Sequence, residues 1–148
     1  MAIRNILTVG DETLRKKCRK VEEINDRIKT LVSDMADTLH STDDGIGLAA
    51  PQVGVLRRVV VIDMGDGAKA YINPVITSST GNREVVESCL SVPGRSGSLM
   101  RPEKVTVKAM DENGKEFTVE ADGLYADCLC HEIDHLEGIL FIDKVIEK

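Results

Sequence analysis

Tryptophan is absent from this 148-residue chain, and two Tyr and two Phe are its only large aromatics. A core of ordinary size must therefore be aliphatic, built from Val, Ile, Leu and Met. No apolar run approaches membrane-spanning length, so no membrane association is expected. The opening segment, MAIRNILTVGDETLRKK, lacks the long apolar stretch and small-residue cleavage site of a secretory signal. The expected location is cytoplasmic, where the four cysteines serve as free thiols or metal ligands rather than a disulfide framework. Net positive charge is lacking too: 19 basic against 25 acidic residues leave −6. The one basic cluster, RKKCRK at 15–20, is short and runs into acidic residues. That balance argues against a nucleic-acid partner. Disorder is also unexpected, because 42% of the residues are apolar and no low-complexity tract interrupts them.

What is present reads as one domain over residues 1–148, strand-rich in the middle and helical near either end. INDRIKTLVSDMADTLH carries apolar residues at helical spacing, with Asn25 as N-cap, and breaks at STDDG. GIGLAAPQVG at 45–54 holds too much Gly and Pro for a helix. RRVVVIDM and AYINPVI read as strands, the second meeting Pro74, and EVVESCLSVPG as a strand entering a turn. EKVTVKAMDENGKEFTVEADG is a hairpin turning at Asn113-Gly114. DGLYADCLCHEIDHLEG is a second helix, starting near Asp122 with Gly138 just past its end. The class expected is α+β.

That last helix holds HEIDH at 131–135, an H-E-x-x-H pattern. Residues four apart share a helix face, so His131 and His135 can grip one ion. A third ligand downstream is hard to find, since a histidine-supplying extension would need His at 141, where Phe stands. Among upstream donors, Cys128 lies seven residues before His135, about 10 Å along a helix axis. That is too far for bonds of roughly 2.0–2.3 Å to one ion. Cys130 points off the histidine face, and packing is the better account of both thiols. His40 and Cys18 are poorer candidates with no supporting context. Cys89, where a strand meets a turn, is the favoured third ligand. A Cys-His-His set leaves a fourth tetrahedral position open, as catalytic sites do, and on residue chemistry alone zinc would be the first choice.

Three segments in order, GIGLAAPQVG (45–54), ESCLS (87–91) and HEIDH (131–135), resemble the three signature motifs of the peptide deformylases. The likeness extends through RPEKVTVKAMDENGKE and GILFID, and so covers most of the chain. It implies an α+β fold of antiparallel sheets packed around a C-terminal metal-binding helix, with an N-terminal helix. It implies removal of the N-formyl group from the methionine of newly made polypeptides, releasing formate. Cys89, His131 and His135 would hold one divalent metal, Fe(II) in this family, with Zn(II), Ni(II) or Co(II) as substitutes. Water activated by that metal would attack the formyl carbon, with Glu132 as general acid/base. Gln52, through its side-chain amide, and Leu90, through its backbone N–H, would steady the oxyanion.

On the same resemblance, Ile46-Gly47 pairs with the N-formylmethionyl peptide like an added strand. Ile46, Val85, Leu124 and Cys128 would contribute to a pocket for the methionine side chain, with Glu87 and Ser88 also beside the substrate. Glu87 and Arg101 would form a supporting ion pair. A transient contact with the ribosome is compatible with such a substrate. Ser88 stands where the family usually has Gly, Cys130 where Gln is common, and Asp127 where an apolar residue is usual near the pocket. Ser88 and Asp127 motivate one alternative, a related N-acyl-peptide hydrolase. The other is a non-catalytic peptide- or metal-binding module on the same fold, against which Glu132 and Gln52 both argue.

Overall fold

The apolar repeat Ile28, Leu31, Met35 and Leu39 forms the buried stripe of α1, Asp26–His40, in a computed structural model that describes residues 2–43 and 45–146. Asn25 caps it: its side-chain oxygen accepts the Ile28 backbone N–H at 3.1 Å, satisfying one of the free amides of the first turn. Seven strands follow: β1 Gly47–Ala49, β2 Val59–Ile62, β3 Lys69–Thr80, β4 Arg83–Cys89, β5 Val92–Arg101, β6 Lys104–Met110 and β7 Glu116–Asp122. The second helix, α2, spans Gly123–Leu136. Short 3-10 turns occupy Glu12–Arg15, Ala50–Val53 and Phe141–Asp143.

Five strands make one antiparallel sheet in the order β1-β2-β3-β6-β7, while β4 and β5 pair as a separate hairpin. All four residues of β2 are buried, because both sheet faces are covered. Side chains alternate across a strand, so Val60 and Ile62 join Leu129, Ile133 and Leu136 of α2, and Val59 and Val61 join Leu31, Met35 and Leu39 of α1. A third cluster, Leu14, Val92, Leu99, Leu140 and Phe141, backs the β4–β5 hairpin. This is the α+β arrangement expected, with the C-terminal helix packed on antiparallel strands.

Two elements differ from the sequence expectation. β3 is longer than AYINPVI: it runs from Lys69 through Pro74 to Thr80, with a register shift between Ile72 and Val75. Asn73 absorbs the irregularity in a left-handed conformation at φ 52°, its side chain bonded at 2.8 Å to both the N–H and the C=O of Val21. The segment after Cys89, expected as a turn, is a two-residue turn and then the ten-residue strand β5. Its glycines hid it, but Gly97 has a packing reason: an added Cβ would lie 2.6 Å from Val145 Cγ2. Residues 145–146 lie along β5 there, with the Ile146 N–H donating to Ser98 O at 2.7 Å.

The Asn113-Gly114 hairpin is as expected, with Asp111 Oδ1 accepting the N–H groups of Asn113 and Lys115. Among the described residues no helix is long and apolar enough to cross a membrane.

Candidate metal centre

A strand advances about 3.3 Å per residue and a helix about 1.5 Å, so two residues of one match four of the other. β4 and α2 use this match. Glu87 and Cys89 share one face of β4, and His131 and His135 share one face of α2. Glu87 Oε1 meets His131 Nδ1 at 2.7 Å, and Cys89 Sγ meets His135 Nε2 at 3.3 Å. One ligand atom from each of Cys89, His131 and His135 lies within 4.8 Å of the others, the one such three-residue group found among the described residues. Both imidazoles are nearly buried, and the ring centroids are 5.1 Å apart.

The donors fit a divalent ion. His131 gives its Nδ1–H to Glu87, which orients the ring and leaves Nε2 as the free lone pair. Burial and the neighbouring charge on His131 push His135 down to about 3, so it stands as a neutral ring. His131 moves the other way. Burial disfavours its charged form, but Glu132, Cys89 and Glu87 outweigh that and push it up to about 10. Those neighbours favour positive charge at this point, whether it is carried by a proton or by a cation held at the three donors.

Glu87 is itself held in place. Burial opposes its charge, yet Arg101 and His131 bring its carboxyl down to about 2. Arg101, only 3% exposed, donates to both Glu87 oxygens at 2.7 and 2.8 Å and to Asp134 Oδ2 at 2.8 Å. Lys144, near the chain end, adds a contact to Asp134 at 3.0 Å.

Glu132 sits on the cleft side of α2, 5% exposed, and its Oε1 has no hydrogen-bond partner. Burial pushes its carboxyl up to about 7, although the charge of His131 pulls the other way. Gly47 explains how the carboxylate fits: a Cβ there would lie 2.9 Å from both Cγ and Oε2 of Glu132.

Gln52 is buried at 1% exposure rather than a solvated loop residue. Its Oε1 accepts the Ala49 N–H at 2.9 Å, and its Nε2 donates to Ser91 Oγ at 3.0 Å and points at Cys89 Sγ at 3.7 Å. Leu90 occupies the turn between Cys89 and Ser91, with its side chain in the α1 core.

A cleft of about 400 Å³ opens beside these groups. Ile46, Gly47, Glu87, Ser88, Leu124 and Cys128 all line it, as do Cys89, Leu90, His131 and Glu132. Val85 packs instead among the third-cluster residues, and its exposed neighbour Val86 lines the cleft. Cys128 is a neutral thiol pushed up to about 12 by burial, and Cys130, pushed up to about 11 the same way, lies in the core. His40 is remote from the centre and bonds Asp63 at 2.7 Å.

Sequence reasoning missed Ser91, Asp134 and Arg83. Asp134 lies inside HEIDH and Ser91 closes ESCLS, so both could have been asked for a partner; nothing local marked Arg83.

The Polypeptide deformylase family profile matches residues 3–148. A peptide deformylase of Clostridium acetobutylicum is 53% identical over 148 residues, covering 100% of this chain and 98% of that protein. One from Acetivibrio thermocellus is 56% identical over 146 residues, covering 99% of this chain and 85% of that protein. Among solved structures, a Legionella pneumophila peptide deformylase superposes with a TM-score of 0.94 at 48% identity, covering 97% of this chain and 86% of that one. A Synechococcus elongatus peptide deformylase in complex with actinonin also gives 0.94, at 40% identity, covering 98% and 80%.

Proposed function

The chain belongs to the polypeptide deformylase family, and from that premise we propose that Cys89, His131 and His135 hold its metal while Glu132 moves the proton. The reaction is hydrolysis of the N-formyl group from the N-terminal methionine of newly made polypeptides, releasing formate. One observation carries the assignment of roles: a cysteine sulfur and two imidazoles converge within 4.8 Å beside a buried glutamate with an unpartnered oxygen.

A divalent ion at these donors supplies Lewis acidity, which lets water lose a proton near neutral pH. We assign Fe(II) from the family, since Cys and His donors would equally suit zinc. Glu132, with burial pushing its carboxyl to about 7, can accept a proton and later hand it to the departing amine. Gln52 Nε2 and the Leu90 backbone N–H donate toward the oxyanion. Ser91 and Ala49 hold the Gln52 amide in one orientation, so that donor needs no rearrangement.

β1 is the edge of its sheet. The Asp63 N–H donates to Ile46 O at 2.8 Å, so residue 46 bonds inward and Gly47 turns its own N–H and C=O to the free edge. An extended peptide can pair there through backbone alone, which tolerates many sequences after methionine. Ile46, Leu124 and Cys128 offer apolar surface to the methionine side chain, with Ser88 near the backbone. We further infer that residues 1–148 act as one catalytic unit, working in the cytoplasm on chains emerging from the ribosome, with transient ribosome contact.

Iron-loaded protein kept free of oxygen is expected to release formate from a formyl-methionyl peptide, and to leave the acetyl counterpart almost untouched. Glu132→Gln should lower the rate by about 10²–10⁴-fold with metal retained. No formate from metal-loaded protein would overturn the reading.

A further inference from the structure

Asp127 lies one helical turn before His131 on α2 and lines the same cleft, although only 8% of its surface is exposed. Its carboxylate is gripped end-on by Arg83 of β4, with Nη2 at 2.7 Å from Oδ1 and Nη1 at 3.2 Å from Oδ2. The same guanidinium donates to Gly123 O at 2.8 Å, at the first residue of α2. Arg83 shares the face of β4 that carries Glu87 and Cys89. From Glu87 to Arg83 the strand advances about 13 Å, whereas from His131 to Asp127 the helix advances about 6 Å. The register match that serves the metal ligands fails here, and only a side chain as long as Arg bridges the gap.

The consequence is a formal negative charge in the wall of a cleft that also presents the apolar side chains of Ile46, Val86, Leu124 and Cys128, with Arg95 and Glu132 elsewhere in its lining. A carboxylate has about four acceptor positions, and Arg83 takes two. Arg83 is not among the cleft-lining residues, so the cation neutralises the wall from behind while acceptor capacity remains at the cleft.

Building on the deformylase reading, we propose that the Arg83–Asp127 pair is a specificity determinant of the substrate side-chain pocket. It makes the pocket accept first residues that bear a hydrogen-bond donor, and it lowers the preference for purely aliphatic ones. Arg83 acts through Asp127 and is a positioning residue. Its spacing keeps the charge tolerable to methionine, whose thioether is neutral and only weakly polar.

The test compares kcat/KM for three formyl peptides differing only in the first side chain: methionine, norleucine and glutamine. Norleucine is an unbranched aliphatic chain of similar length, and glutamine presents an amide donor. In Asp127→Leu the norleucine-to-glutamine ratio should rise about tenfold, as expected when a substrate side chain loses a polar partner. In Arg83→Met it should fall below the wild-type value, because the carboxylate is freed for the substrate. A clasp that only ties α2 to β4 would depress all three substrates together and leave the ratio unmoved. Shifts in opposite directions support the inference; an unmoved ratio, or movement in the same direction, overturns it. If either variant fails to fold, Asp127→Met or Arg83→Gln, which remove the same charge, replaces it under the same criterion. Wild-type protein that releases no formate from any of the three would instead sink the deformylase reading.

Discussion

Gly47 and Glu132 touch: the α-carbon of one is so close to the carboxylate of the other that a single added carbon would sit 2.9 Å from Oε2. Gly47→Ala should therefore displace the carboxylate while leaving β1 paired. Formate release is expected to fall at least tenfold with an unchanged circular dichroism spectrum. Full activity in a folded Ala variant would show that Glu132 has more freedom than the packing allows.

Arg101 and Glu87 are both nearly buried, and each is the other's main charge partner. Glu87→Ala removes one and leaves the other with Asp134 as its remaining partner. A loss of about 1–3 kcal/mol is expected in urea unfolding, because two buried guanidinium N–H groups lose their acceptors. The milder Glu87→Gln should fold, yet its looser hold on the His131 ring should weaken metal affinity about 10–100-fold. Competition with a chelator reads that directly.

Removal of the metal ligand itself gives a cleaner contrast. Cys89→Ser should leave the fold intact, since Cys89 contributes little to the third cluster beside Leu99 and Phe141. Bound metal per chain should drop toward zero under dialysis, where wild type retains about one equivalent as a three-ligand Cys/His site should. Retention of the ion by the serine variant would place the site elsewhere.

At the back of the protein, Asp34 accepts the Ala2 N–H at 2.9 Å and the Arg4 Nε–H at 2.9 Å, and these bonds hold its carboxyl below the ordinary range. A carboxyl depressed in the folded state contributes stability that is complete above its unfolded pKa, about 3.9, and is lost as pH falls through the folded value. Acid should thus loosen the N-terminal segment from α1 below about pH 4. In Asp34→Asn the stability curve should be flatter over that window, as measured by urea unfolding at stepped pH.

Gly138 follows α2 at φ 75°, and a Cβ there would run into the Arg15 carbonyl, with its carbon at 2.7 Å. Gly138→Ala should cost about 1–3 kcal/mol, from a left-handed residue and a backbone clash together. A thermal midpoint within a degree of wild type would contradict this.

The two helices were legible because each carries a repeat and an end signal: Asn25 before one, Gly138 after the other. The β6–β7 hairpin was legible through Asn113-Gly114 and strict alternation. The strand β5 was not, since Pro93, Gly94 and Gly97 look like loop when read locally. Their tolerance depends on β4 pairing on one side and on Val145 packing against Gly97, both long-range facts. Val85 was likewise placed in the pocket by resemblance, whereas the cleft is lined by Val86.

By itself the sequence determined which donors could meet a metal, because helical periodicity puts His131 and His135 on one face and excludes Cys128 by distance. It also determined the general acid/base candidate and the family. Only the tertiary structure decided how those donors are held. Glu87, Arg101 and Asp134 form one buried chain of charge behind His131, and Ser91 orients Gln52. It also decided that Arg83 reaches Asp127 from behind the cleft wall. The reason is physical: spacing along one helix is local and readable, but which strand residue faces which helical turn depends on register between elements, and no local pattern encodes it.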